Sequence, residues 1–282
     1  MNDAMFTASI EGLDLRRTAD SGQCFRMNMM PDGTCRVLHA DQWVSVQETA
    51  PGEFRFSCDK AAFDGVWRWY FDLDSDYAPL MARVPPEDLF LSEAVRFSHG
   101  MRILRQDAWE TLISFIISQR KNIPAIKCCV EKLCVRFGER ILGTPWHTFP
   151  TPQTLALADP EELETCSLGY RAKYISATAQ MVARGDIDLA TLNDLDDNGL
   201  HDALCRFPGV GTKVANCIML FGYHRMDAFP RDVWINRIEE IEYGGRFPQQ
   251  NYPGGAGLLQ QYMFYFGKSK EYVLWKEQLS KE

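Results

Sequence analysis

Phe207-Pro208-Gly209-Val210-Gly211-Thr212-Lys213, followed after a short apolar stretch by Pro230-Arg231-Asp232, decides how this chain is read. Upstream, Ala203, Leu204 and Phe207 end an apolar helix, and Pro208 with Gly209 breaks it. Two glycines flanking Val210 permit a tight turn, and Val214, Ile218 and Phe221 then recur at helical spacing, so a second helix starts near Thr212. A helix start preceded by bare glycine amides offers N–H donors and a positive dipole end to an anion. Gly209, Val210 and Gly211 therefore form a phosphate-gripping hairpin that needs no base contact.

Lys213 falls in the first turn of that second helix, where a cation is poorly placed for stability. The same field, with partial burial, predicts a lowered pKa, as a nucleophilic amine requires. The plainer reading makes Lys213 one more phosphate contact. Cys217 lies one turn further on the same face. Pro230 stops the incoming segment, and Asp232 then caps a helix through Val233, Ile235 and Ile238. Cap and catalyst are compatible roles for one carboxylate.

The chain has 282 residues, nearly half of them apolar, enough for one large or two small globular domains. Its start, with Asp3 and no long apolar stretch, does not resemble a secretion signal. The run around Leu112 to Ile117 is too short to span a bilayer, so no membrane partner is expected. Nine cysteines without a secretory signal predict free thiols and a cytoplasmic location. The net charge of −8 argues against nucleic-acid binding only globally. Screening within about 8–10 Å makes local charge decisive. Arg120, Lys121, Arg171, Lys173 and Lys213 cluster in loops and helix starts, while acidic residues gather at Asp159–Glu164 and Asp194–Asp197.

Residues up to about 90 read as mostly β, because Phe54, Phe56 and Cys58 alternate with Arg55 and Ser57. Neighbouring strands are expected over Cys24–Met29, Cys35–Ala40 and Gln42–Thr49, separated by turns at Pro31-Asp32-Gly33 and Pro51-Gly52. A helix carrying Trp67, Tyr70 and Phe71 follows the strands, and from Asp107 onward the pattern is helical. Strands followed by helices give an α+β class, divided here as 1–92 and 93–282.

The hairpin, Lys213 and Asp232 resemble the helix-hairpin-helix DNA glycosylase superfamily, in its lysine-bearing, bifunctional branch. Four further segments resemble the 8-oxoguanine DNA glycosylase family in order. They are Ser21-Gly22-Gln23-Cys24-Phe25-Arg26, Leu104-Arg105-Gln106-Asp107, Leu168-Gly169-Tyr170-Arg171-Ala172-Lys173-Tyr174 and Ala256-Gly257-Leu258-Leu259-Gln260-Gln261-Tyr262-Met263-Phe264. The resemblance implies a twisted antiparallel N-terminal sheet on a helical hairpin domain, whose C-terminal helices pack back on the N-terminal part. Double-stranded DNA containing oxidised guanine would lie in the cleft, bound by a monomer.

Lys213 would be the nucleophile, leaving a Schiff base and allowing β-elimination, with Asp232 stabilising the cationic sugar. The carbonyl of Gly22 would accept the N7–H that 8-oxoguanine has and guanine lacks. Gln260 would read the Watson–Crick edge, and Phe264 and Cys217 would hold the base faces. Tyr170 would wedge the duplex while Arg171, with Arg120 nearby, meets the orphaned base. The carbonyls of Cys205, Phe207 and Val210 would hold a monovalent cation; no other cofactor is implied. The four-cysteine run of endonuclease III-like relatives is absent, so no iron–sulfur cluster is expected.

Without the resemblance, Gly22 makes a turn, Gln260 is a solvated helix residue and Phe264 belongs to the core. Departures from the mammalian-type pattern are Arg120-Lys121-Asn122 in place of an asparagine run, Ala125 for an arginine and Trp234 for a histidine. They put opposite-base selectivity in doubt. The rival readings are a monofunctional alkylpurine DNA glycosylase of the same fold and a non-catalytic damage-binding module.

Overall fold

The computed structural model describes residues 4–280; Asp3 lies outside the described residues. Five strands form one antiparallel sheet in the order β1-β5-β4-β3-β2. They are β1 (Phe6–Ser9), β2 (Met27–Met29), β3 (Cys35–His39), β4 (Gln42–Ala50) and β5 (Glu53–Phe56). Alternation sets the buried face: Val44, Val46, Phe54 and Phe56 are all fully buried, while Arg55 faces solvent. Each such phenylalanine contributes about 2 kcal/mol by leaving water. Helix α1 (Leu15–Asp20) interrupts the sheet after β1, and neither element was expected from the sequence.

The strands end at Phe56, and the helix expected to carry Trp67, Tyr70 and Phe71 follows. Residues 60–70 form helical turns through a π-helical segment, Phe63–Trp67, whose Phe63 and Trp67 cover the sheet.

The helical part is built around α3 (Ala108–Ser118), buried along nearly its whole length and capped by Asp107, which accepts from Glu110 N–H at 2.8 Å. Helix α4 (Ile123–Phe137) starts at Asn122, whose side chain caps Ala125 N–H at 2.9 Å. Between these helices Arg120 adopts φ +53° and is exposed. Helix α2 (Leu89–Phe97), inside which residue 92 falls, joins α8 (Val233–Tyr243) and α9 (Ala256–Gly267) in a third core. Its centre is Phe90, Leu91, Ile235, Ile238, Leu259, Met263 and Phe266. Helices α8 and α9 touch closely: a β-carbon on Gly267 would stand 2.4 Å from Ile238 Cδ1.

The sheet and the helices are tied together by two buried polar groups. Gln23 donates to Ser21 Oγ at 2.9 Å and to the Arg102 carbonyl at 2.8 Å, and its Oε1 accepts from Leu104 N–H at 2.8 Å. Asp72 accepts from Ser75, Tyr77 and Arg105 at 2.7–2.8 Å. His224, beyond the hairpin helices, approaches its second oxygen at 3.5 Å. No helix among the described residues is long and apolar enough to cross a membrane.

Candidate active site

A cavity of about 50 Å³ collects Ser21, Gly22, Phe115, Lys213, Cys217, Phe221, Pro230, Asp232, Gln260, Gln261 and Phe264. Residues from positions 22 to 264 thus converge on one point, and six of the expected site residues line it. The larger clefts, about 670 and 830 Å³, lie against the sheet and do not include Lys213 or Asp232. Both expected catalytic residues line the small one.

Lys213 enters from helix α7 (Thr212–Gly222). Gly211 precedes this helix without a side-chain cap, so its first amides stay open for an anion, as the hairpin reading requires. The ammonium of Lys213 lies 5.6 Å from the centre of the Phe115 ring. Its pKa does not fall as expected but rises above the usual lysine value. The Cys217 sulfur on the same helix face raises it, burial opposes, and Asp232 adds to the rise. Burial pushes the Cys217 thiol up as well, against the pull of Lys213. Near neutral pH the pair is therefore ammonium and thiol. The helix-dipole argument lost to Cys217, one turn along the same helix, and to Asp232, which the fold brings near.

Asp232 is both cap and cavity residue. Its Oδ1 accepts from Trp234 N–H at 3.0 Å and from Ile235 N–H at 2.8 Å. Both bonds fall on one oxygen, and Oδ2 takes no hydrogen bond from the described residues. Gln260 comes from α9 and is 2% exposed, so it is not a solvated helix residue. Phe264 stands one turn further, half-buried, with the Lys268 ammonium 4.5 Å from its ring centre.

Gly22 has φ +81°, and a β-carbon there would meet Ile123 Cδ1 at 3.0 Å. Both constraints exclude a side chain and bring backbone to the cavity wall. Gln23, immediately after it, anchors this turn to residues 102–104. The early glycine motif and the segment opening the helical region therefore meet in space.

In the hairpin, Gly209 has φ +81° and lies under Tyr174, whose ring would collide with any β-carbon at 2.6 Å. The Gly209 carbonyl accepts from the Gln119 side chain at 3.1 Å. Cys205 ends helix α6 (Asp197–Cys205), and the Phe207 carbonyl accepts Val210 N–H at 3.0 Å. A carbonyl oxygen carries two lone pairs, so Phe207 retains one. The Val210 carbonyl accepts no backbone hydrogen bond among the described residues, and this donor set suits a hard monovalent cation.

The residues expected to meet the other strand lie away from the cavity. Tyr170 is 46% exposed and packs edge-on to Tyr174 at 5.9 Å. Arg171 is folded inward: it donates to the Leu168 carbonyl at 3.1 Å and to the Gln119 carbonyl, and its guanidinium stacks 4.4 Å over Tyr170. Trp234 is 40% exposed at the start of α8.

Sequence reasoning missed Phe115, Phe221, Pro230 and Gln261 as cavity residues. Phe115 and Phe221 stack at 5.4 Å and floor the cavity, but both sit within apolar helical stripes that read as core. Gln261 was visible only as the neighbour of Gln260.

Residues 5–112 match the family described as 8-oxoguanine DNA glycosylase, N-terminal domain, and residues 113–244 match the HhH-GPD superfamily base excision DNA repair protein. The N-glycosylase/DNA lyase of Saccharomyces cerevisiae is 35% identical over 65% of this chain and 48% of its own length, so the chain spans about half of that relative. A probable N-glycosylase/DNA lyase of Methanothermobacter thermautotrophicus is 31% identical over 69% of this chain and 70% of its own. The solved structure of the Clostridium acetobutylicum 8-oxoguanine glycosylase/lyase, bound to duplex DNA with cytosine opposite 8-oxoguanine, superimposes with a TM-score of 0.85. It is 31% identical and is matched over 95% of this chain and 99% of its own. With lysine, aspartate and glycine turn gathered at one cavity and the hairpin at the start of the lysine's helix, the chain belongs to the 8-oxoguanine DNA glycosylase family, the N-glycosylase/DNA lyases of the HhH-GPD base-excision-repair superfamily.

Proposed function

We propose that this chain releases 8-oxoguanine from duplex DNA and then cleaves the strand at the same nucleotide, with Lys213 as nucleophile. The observation that carries this reading is the convergence of Lys213, Asp232 and Gly22 on one cavity. A phosphate held at the open start of α7 anchors the damaged strand, and the target nucleotide turns out of the helix. At about 50 Å³ the cavity is far smaller than usual ligand sites of roughly 300–1,000 Å³, so the base enters by displacing the Phe264 ring.

The Gly22 carbonyl accepts N7–H of the oxidised base, a donor that guanine does not have. Lys213 passes its proton to the departing base, and its free amine attacks C1′ as the bond to the base nitrogen breaks. The free oxygen of Asp232 faces the positive charge developing on the sugar. Transfer of a proton from the lysine nitrogen to the ring oxygen opens the sugar and leaves a Schiff base between C1′ and that nitrogen. Loss of a C2′ proton then expels the 3′ phosphate by β-elimination. Tyr170 fills the vacated stack, and Arg171 turns out to the orphaned base. The carbonyls of Cys205, Phe207 and Val210 would hold a monovalent cation that adds positive charge beside the gripped phosphate.

Borohydride trapping on duplexes with 8-oxoguanine, 3-methyladenine or no lesion tests the reading. A covalent complex only on 8-oxoguanine, absent in Lys213→Gln, is expected. Release of alkylated adenine without trapping would establish the alkylpurine alternative instead.

A further inference from the structure

Lys268 follows the last turn of α9, four residues after Phe264 and on the same helix face. Its ammonium lies 4.5 Å from the centre of the Phe264 ring and 5.9 Å from that of Tyr265. The same nitrogen donates to the Asp20 carbonyl at 3.4 Å. Asp20 is the last residue of α1 and stands two positions before Gly22, so one side chain joins the end of α9 to the glycine turn. The ring it covers lines the cavity with Gly22, Lys213 and Asp232. Lys268 is half-buried, and burial lowers its pKa against the pull of Asp20 and Asp232. A cation drawn out of water is held more strongly by an aromatic face than one left in solvent.

We propose that Lys268 is a positioning residue for Phe264: its ammonium, hung from the Asp20 carbonyl, holds the ring in the cavity until a base pushes it aside. The proposal rests on the reading of this cavity as the base pocket. Moving the ring takes its face off the ammonium, so Lys268 adds to the cost of entry for any base. An abasic site brings no base and needs no such movement. The contact therefore bears on base release and not on cleavage of an abasic strand. It sets a threshold that is the same whichever base is offered, unlike the Gly22 carbonyl, which distinguishes between them.

Single-turnover release of 8-oxoguanine, with protein saturating the duplex, tests this against cleavage of a preformed abasic site as the control lacking a base. Lys268→Met keeps the length and removes the cation. It should speed 8-oxoguanine release roughly two- to five-fold, the factor an ammonium on an aromatic face supplies, and leave abasic-site cleavage unchanged. A role in folding, or a contact to a DNA phosphate, would slow the reaction instead. Lys268→Arg keeps a cation over the ring and should stay at the wild-type rate. In a Phe264→Leu background Lys268→Met should make no further difference, because the contact it removes is already gone. Wild-type protein that releases no 8-oxoguanine would overturn the assigned reaction and this inference with it. Wild-type release that is unchanged or slower in Lys268→Met would overturn this inference alone. So would a gain that abasic-site cleavage shares, or one that persists without the Phe264 ring.

Discussion

The ring of Phe264 lies against Gly22, with Cε1 at 4.0 Å from where a β-carbon on the glycine would stand. Gly22→Ala should therefore be felt by the base and not by the sugar chemistry. The added methyl also meets Ile123 at 3.0 Å and strains a backbone at φ +81°, costing on the order of 1–2 kcal/mol of stability. Release of 8-oxoguanine should fall by ten-fold or more while cleavage of an abasic-site duplex persists. Parallel rate measurements on the two substrates check this, and equal losses would remove Gly22 from the recognition wall.

Asp232 separates cap from catalyst by oxygen. Asparagine caps a helix as well as aspartate does, so Asp232→Asn should change stability by less than about 1 kcal/mol. Loss of the negative charge beside the sugar should lower turnover by about 100-fold or more. A melting curve and a single-turnover rate on the same sample distinguish the roles. A large drop in melting temperature with normal turnover would make the residue structural only.

Cys217 holds the proton on Lys213. Its removal takes away the largest influence raising the lysine pKa, leaving burial against Asp232. Cys217→Ala should shift the rising limb of the pH profile for abasic-site trapping toward lower pH. An unmoved limb would mean that the thiol does not control the amine.

Asp72 has its carboxyl pKa lowered from 3.8 to about 2: burial raises it, but hydrogen bonds from His224, Tyr77 and Ser75 and the charge of His224 prevail. Its folded pKa is depressed, so its stabilising contribution is complete above pH 4 and is lost as pH falls from about 4 toward 2. The residue sits at φ +53°, a conformation asparagine tolerates well, so Asp72→Asn isolates the charge. The variant should lose about 2 kcal/mol at pH 7 and show a flatter acid dependence in denaturant titrations. An unchanged acid profile would place the stabilisation elsewhere in the network.

Arg171 must leave the Leu168 and Gln119 carbonyls to reach an orphaned base, and Ala125 offers no second guanidinium. Each bidentate base contact is worth roughly 1–3 kcal/mol of discrimination. The preference for cytosine opposite the lesion should be weaker than in mammalian-type enzymes, with measurable excision opposite adenine. Arg171→Ala should flatten what remains. Rates on the four opposing bases decide it, and a sharp cytosine requirement in the wild type would assign the missing contact to Arg120 or Lys121.

Local order was readable wherever a residue's neighbours in sequence are also its neighbours in space. Alternation at Phe54 and Phe56 gave a strand, Gly211 and Thr212 gave a helix start, and Asp232 gave a cap. The spacing of Trp67, Tyr70 and Phe71 gave the helical turns that follow the strands, though not the π-helical form of Phe63–Trp67. The direction of the Lys213 pKa follows first from Cys217, a neighbour on the same helix face whose charge the dipole argument left out, and then from Asp232, which only the fold brings near. The other failures depended on groups brought together from afar. The inward fold of Arg171 depends on the Gln119 carbonyl, and the amide of Gln260 turns inward to the Pro230 carbonyl.

The cavity draws its wall from three separate parts of the chain. Gly22 stands in the turn between α1 and β2, Lys213 and Cys217 on α7, and Asp232, Gln260 and Phe264 at the start of α8 and on α9. No single part holds both the residues proposed to read the lesion and the amine proposed to cut. A molecule with one part loosened keeps its lysine but loses the frame that tells it where to act. On the proposed reaction, partial loss of this frame should therefore leave the chain inert on DNA rather than indiscriminate, a safe way to fail where the product would be a broken strand.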